Sequence, residues 1–237
     1  MAGYCCCPTL QHFPQIPSDV KTSLRTPHRP QSSGEEIANS LSHGLGFIVA
    51  LIAAPFLILS ADQRGDPGFL VGASIFATTM GLLYLTSTLY HALPQGRTKR
   101  VLQIIEHSAI FLLIAGTYTP FTLGILRGAW GWTLLGIVWG LAVTGVLLKA
   151  FDRLLHPGLS TGLYLVMGWL ILIAAVPLLE HLPTPGLMWL AAGGLAYTLG
   201  VVFFALDSLL RYSHFIWHLF VITGTACHYV AILHYAA

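Results

Sequence analysis

Charged residues are what this chain has least of. Asp, Glu, Lys and Arg make up 8% of its 237 residues, while 55% are hydrophobic, and the mean hydropathy is +0.74. An average soluble domain is about 25% charged. So few charges cannot cover the surface of a water-soluble globule of this size, and the chain reads as an integral membrane protein, one helical bundle rather than several domains. Net charge is small as well. At +2, and with no basic stripe carrying interleaved aromatics, nothing points to nucleic acid as a partner. Cysteine is scarce and badly spaced for disulfides: Cys5, Cys6 and Cys7 are adjacent and Cys227 lies in an apolar segment, which excludes a disulfide framework. A terminal triplet can be S-acylated beside a membrane, but free thiols on an unstructured tail are the plainer reading. No secretory h-region is present. No internal repeat is found either, so an inverted-repeat transporter gains little support.

What is there falls into a tail and a membrane domain. Residues 1–34 are rich in Pro, Ser and Thr, lack a long apolar run and are expected to be disordered. The tail is basic (Lys21, Arg25 and Arg29 against Asp19), as organelle transit peptides are, yet its prolines oppose the amphipathic helix such peptides need. Residues 35–237 form the membrane domain. Seven apolar blocks, near 38–60, 68–92, 104–126, 129–149, 159–179, 186–206 and 213–235, have the length a helix needs to cross roughly 30 Å of hydrocarbon. Breakers fill the connections, and the shortest is the one around Gly128. The predicted fold class is therefore an all-α, seven-transmembrane helical bundle. Lys and Arg set its orientation. The tail and the 2–3, 4–5 and 6–7 loops hold nine of them; the opposite side has Arg64 and Arg127 only. The N-terminus is thus cytoplasmic and the C-terminus outside, the reverse of G-protein-coupled receptors.

Small residues predict close helix packing: Gly136 and Gly140 in span 4, and Gly193, Gly194 and Gly200 in span 6. Pro120 in "AGTYTPF" removes a backbone donor and is expected to kink span 3, with Thr117 and Thr119 placed to satisfy freed backbone groups.

This topology predicts which polar groups share a depth. Span 2 ends in "YLTSTLYHAL", so Ser87 and His91 share one face near the cytoplasmic side. Span 3 starts there with Glu106 in "IIEHSAIF", and span 7 with His214 and His218 in "HFIWH". Span 1 adds "EEIANSLSHG", where Glu36, Asn39 and His43 stack on one face. His228 lies about 15 Å beyond His218 at 1.5 Å per residue, so neither it nor His234 can share that site.

A single histidine near a helix end is more often an interfacial side chain or a bundle hydrogen-bonder than a ligand. Two imidazoles four residues apart can grip one metal from a single helix. With His91 at the same depth, a metal site held by His91, His214 and His218 becomes the favoured reading, because intramembrane ionisable groups are costly unless paired or coordinated. Zinc suits three neutral imidazoles and one water, the usual open coordination of a catalytic site. Between the span-7 histidines stand Phe215, Ile216 and Trp217, which cannot act as base, so Glu106 is the candidate carboxylate.

At these residues the chain resembles the hemolysin III family, the bacterial-type branch of the progestin and adipoQ receptors. Those belong to a wider group of seven-span proteins that includes the alkaline ceramidases. The resemblance runs from Glu35 to the C-terminus and rests jointly on "EEIANSLSHG", "STLYHAL", "EHSAIFLLIAGTYTPF", "YLVMGWL" and "HFIWHLFVITGTACHYVA". It implies seven spans, a cytoplasmic N-terminus and a zinc near the cytoplasmic face. Ser87 and His91 match the family's serine–histidine pair, His214 and His218 its span-7 histidines, and Glu106 the acid that opens span 3. That acid is aspartate in many relatives; glutamate, one methylene longer, can touch the metal or take the place of the water. The tail before residue 35 has no counterpart. Ceramide hydrolysis is associated with the wider group, ligand sensing with the receptor branch, haemolysis with the name of this branch, and membrane-fluidity homeostasis with some bacterial relatives.

The leading expectation is a Zn²⁺-dependent hydrolase of lipid amides in the plasma membrane. Glu106 deprotonates or orients the water, and Ser87 hydrogen-bonds it or the developing oxyanion. Membrane lipids are its surroundings, and a lipid substrate or ligand enters sideways. A sensor with zinc as a structural brace is the alternative, favoured if Glu106 is a fourth ligand. A pore-forming cytolysin is the third, poorly supported because the spans are too apolar for a protein released in soluble form.

Overall fold

The computed structural model describes residues 29–151 and 157–237. The cysteine triplet, the tail as far as His28 and Arg153 of the 4–5 loop lie outside the described residues. Gln31–Ala237 is one compact unit, with no strand among the described residues. Its helices are α1 (Ser33–Gln63), α2 (Pro67–Ala92), α3 (Arg97–Leu123), α4 (Ala129–Ala150), α5 (Pro157–Trp169), α6 (Ala175–His181), α7 (Thr184–Ala205) and α8 (Ser213–Tyr235). Seven stretches are long and apolar enough to cross a membrane; α5 and α6 together make the fifth, and α7 and α8 are the sixth and seventh. The chain is an all-α, seven-span membrane protein.

The first helix starts earlier than the apolar pattern predicts. Ser32 caps it, and its amide donates to Glu35 Oε2 at 2.9 Å while the Glu35 amide donates back to Ser32 Oγ, a reciprocal capping box. The other Glu35 oxygen accepts the Tyr212 amide at 2.8 Å, so one carboxylate joins the start of α1 to the start of α8. Gln31 donates to Asp207 at 3.0 Å and accepts from Asn39 at 2.7 Å. Residues 31–34, expected in the tail, therefore belong to the bundle, because these polar groups find partners on the α7–α8 loop. At the other end Asp66 caps α2, with Pro67 in the first turn, and pairs with Arg127. Gly128, at φ +78°, makes the left-handed turn that separates spans 3 and 4.

The outer face is apolar, unlike that of a soluble protein, and the apolar core also encloses polar groups. Ile48, Ile52, Phe56 and Leu59 of α1 face outward, whereas Asn39, His43, Ser87, His91, Glu106 and His218 are buried. Lipid is as apolar as the outward side chains, so helix contact and internal polar bonds hold the bundle. One close approach of backbones is between α2 and α3: a Cβ on Gly72 would lie 2.5 Å from Pro120 Cα. The helix α3 continues through Pro120 to Leu123. Thr117 and Thr119 do not serve the carbonyl of Gly116 that this proline frees. Their hydroxyls donate to Leu113 and Ala115 carbonyls at 2.7 and 2.8 Å, and Thr119 also accepts the Trp139 indole N–H at 3.1 Å, tying α3 to α4.

Two further expectations change. Span 5 is interrupted by a 3-10 turn over Leu170–Ala174. The Tyr118 hydroxyl supports it, lying 2.8 and 2.9 Å from the Met167 and Gly168 carbonyls as donor and accepting the Ile171 amide at 2.9 Å. Gly193 and Gly200 do sit against side chains of α8, but Gly136 and Gly140 have nothing among the described residues near enough to meet a Cβ. Their small-residue pattern is not used among those residues.

Candidate metal centre

Polar residues reach the end of the bundle that the Lys and Arg bias assigns to the cytoplasm. His91 stands one residue before the end of α2, and His214 and His218 occupy the first turns of α8. Glu106 enters from α3, deeper by sequence but brought level where Ser87 Oγ donates to its Oε1 at 3.0 Å. One ligand-type atom from each of His91, Glu106, His214 and His218 falls within 4.8 Å of the others. The imidazole centroids are 5.1 Å apart for His91–His214, 5.1 Å for His91–His218 and 4.8 Å for His214–His218.

The outer faces of two of these rings are held by hydrogen bonds. His91 Nδ1 is 2.8 Å from Glu36 Oε2, and the other Glu36 oxygen accepts from buried Lys99 Nζ at 2.7 Å. His218 Nδ1 is 3.0 Å from Ser42 Oγ and 3.2 Å from the Asn39 carbonyl. His214 Nδ1 lies 3.4 Å from Asp207 Oδ2, within ion-pair distance but without a hydrogen bond. An Nδ1–H given to a carboxylate or carbonyl leaves the Nε2 lone pair free, the outer arrangement of metal-binding histidines. All three Nε2 atoms are buried and lack a hydrogen-bond partner. Unpartnered buried polar atoms are costly, and three of them converging beside a carboxylate are satisfied together by one cation. The residues present therefore fit a metal ion, in an N₃O donor set.

The family model described as Haemolysin-III related matches residues 32–229, most of the chain and every residue of this group. This chain belongs to the haemolysin-III related family. The haemolysin-III related chain is 44% identical to Hemolysin-3 of Bacillus cereus, over 85% of its own length and 91% of that protein's. It is 46% identical to the Hemolysin-3 homolog of Bacillus subtilis (strain 168), over 85% and 94%. The human monocyte to macrophage differentiation factor is 29% identical over 88% of the chain and 90% of its own length. No solved structure matches.

Sequence reasoning placed Glu36 and His43 at this depth without giving them a task. In this haemolysin-III related chain Glu36 holds a candidate ligand, and the His43 ring stacks on His218 with centroids 3.7 Å apart and planes at 6°. Lys99 and Asp207 were missed altogether. The available signal was the run "EEIANSLSHG", whose spacing puts Glu36, Asn39 and His43 on the face that meets α2 and α8. His228, by contrast, stays apart, its Nε2 3.2 Å from the Leu190 carbonyl. His234 is likewise outside the group, its ring 5.9 Å from that of Tyr235.

Beside the candidate metal group, Glu106 and His43 also line a cavity that runs between α3, α5, α7 and α8. Its remaining walls are mainly apolar, among them Ile110, Leu113, Ile114, Val201 and Val221.

Proposed function

We propose that this protein is a zinc-dependent hydrolase of lipid amides in the plasma membrane, acting in membrane lipid homeostasis. The observation that carries the proposal is the junction of the candidate metal group with a largely apolar cavity, shared at Glu106. His91, His214 and His218 would hold the ion through Nε2. When bound, zinc supplies Lewis acidity and brings the pKa of water to about 7. Glu106, fixed by Ser87 Oγ on one oxygen and 3.3 Å from His107 Nδ1 on the other, accepts the proton as water attacks the amide carbonyl. It can return that proton to the leaving amine. With its hydroxyl given to Glu106, Ser87 acts first as the residue that aims the base. Glu36 and Lys99 neutralise one another behind His91, so the positive charge of the site stays at its centre. The acyl chain lies in the largely apolar cavity, which shields it from bulk water.

The test is metal analysis of the purified protein together with turnover of a long-chain lipid amide such as a ceramide. Wild type is expected to carry zinc and release fatty acid, His218→Ala to lose both, and Glu106→Gln to keep zinc and lose turnover. Turnover that survives in His218→Ala would overturn the proposal.

One observation favours a second reading, a membrane sensor braced by structural zinc. Glu106 falls within the same 4.8 Å group as the histidines, and four protein ligands are usual for structural zinc. Zinc retention without turnover in wild type, and zinc loss in Glu106→Gln, would select it. Haemolysis, for which the Bacillus relatives are named, draws no support from the arrangement of this site.

A further inference from the structure

The same cavity has a second polar feature, far from the metal group. Its wall passes Thr117, Tyr118, Trp169, Tyr197 and Thr198 and reaches His228 on α8. Every one of these polar groups but the last is satisfied by the protein. Thr117 donates to the Leu113 carbonyl and Tyr118 to the carbonyls at the break in span 5. The Trp169 indole donates to Thr198, Thr198 to the Gly194 carbonyl, and Tyr197 bonds Thr225 at 2.6 Å. His228 Nδ1 alone among them is buried without a partner, on a residue 8% exposed.

The pose of the ring decides what this atom can accept. A Cβ on Gly193 would lie 2.3 Å from both Cδ2 and Nε2 of His228, so that edge is pressed on α7, and Nε2 gives its proton to the Leu190 carbonyl at 3.2 Å. Nδ1 lies on the opposite edge of the planar ring, turned away from Gly193, and carries the lone pair. An acceptor left unmade in an apolar wall is unfavourable. Ten residues of helix separate it from His218, about 15 Å along α8.

We infer that His228 is a specificity residue that reads the lipid chain: its Nδ1 accepts a hydrogen bond from a hydroxyl near mid-chain of a long-chain lipid whose head lies at the metal group. This rests on the reading that the cavity holds a lipid. Unsubstituted chains leave the nitrogen unpaired, and hydroxylated chains satisfy it. Discrimination by a site built to bond a hydroxyl exceeds that of a merely apolar pocket, because the protein's own polar atom is otherwise stranded.

Binding to the purified full chain tests this, with stearate, stearate hydroxylated at mid-chain, and stearate hydroxylated beside the carboxyl as competitors for a fluorescent fatty acid. Wild type is expected to bind the mid-chain hydroxyl about fivefold more tightly than stearate, the worth of one hydrogen bond, with no such gain for the hydroxyl beside the carboxyl. His228→Leu should erase the ratio while keeping stearate binding and metal content. Equal binding of stearate and its mid-chain hydroxylated form by wild type overturns the inference, as does a ratio that persists in His228→Leu. If no fatty acid binds, the lipid-cavity reading falls as well, whereas equal binding removes only the role of His228.

Discussion

Replacing Glu36 by Gln changes one charge and one acceptor, and the structure says what each is worth. The carboxylate now bridges His91 Nδ1 at 2.8 Å and Lys99 Nζ at 2.7 Å. An amide has one oxygen to offer two donors, so one of them must go without. If Lys99 keeps the oxygen, His91 loses the anchor that fixes its ring and its tautomer. Loss of such an outer partner typically weakens metal binding 10- to 100-fold, or about 1.4–2.8 kcal/mol. If His91 keeps it, Lys99 is left buried with the Leu93 carbonyl at 3.0 Å and the Tyr90 ring beneath it. Breaking a buried pair costs about 3–5 kcal/mol; with the Glu36 side chain 19% exposed and an amide still present, about 2 kcal/mol of apo stability is a reasonable expectation. The two effects separate on adding Lys99→Met. The double variant should recover the melting temperature of the apo protein, whereas metal affinity returns only in part, because an amide oxygen is a weaker acceptor than a carboxylate. Zinc competition against a chelator and thermal melts with and without EDTA provide both readouts. A Glu36→Gln protein that holds zinc as tightly as wild type and also melts unchanged without metal refutes the assignment of Glu36 to His91 and Lys99.

Other substitutions probe separate parts of the structure. Ser87→Ala frees Glu106 from its donor and should lower lipid-amide turnover about tenfold, one lost charge-assisted hydrogen bond, with zinc content unchanged on metal analysis. Tyr118→Phe strips support from two carbonyls and an amide at the break in span 5 and should destabilise by about 1–3 kcal/mol in a detergent melt; an unchanged melt would show that the break stands by itself. Gly72→Leu must push α2 from Pro120, lowering the melting temperature by the equivalent of about 2 kcal/mol or more. Gly136→Leu meets nothing among the described residues and should stay within about 0.5 kcal/mol of wild type.

The features legible in the sequence are those governed by local physics. Each apolar block had to match the thickness of a bilayer, so the span count and the limits of α2, α4 and α8 follow closely from hydropathy. The depth argument brought His91, Glu106, His214 and His218 to one level because helix rise is constant. What escaped depends on partners distant in the chain. The stretch "YLVMGWLILIAAVP" is evenly apolar up to its proline and gives no sign of the turn at Leu170; the cause is the hydroxyl of Tyr118, on another helix. The small-residue spacing of Gly136 and Gly140 permits close approach but names no neighbour, and among the described residues there is none. Lys99 looked like one of several loop cations until Glu36 was found beside it. Ser32 and Glu35 carried a readable capping signal that hydropathy alone passes over.

The distribution of the metal group over the chain bears on biogenesis. Two of its three imidazoles reside in the final helix, while the carboxylate steadying the third belongs to the first. A ribosome delivering this chain into a membrane must release α8 before a cation can be enclosed by all three imidazoles. Until then Glu36, Lys99 and His91 form a half-built polar cluster in hydrocarbon. Enclosure of a cation by this group would therefore wait until α8 has been inserted.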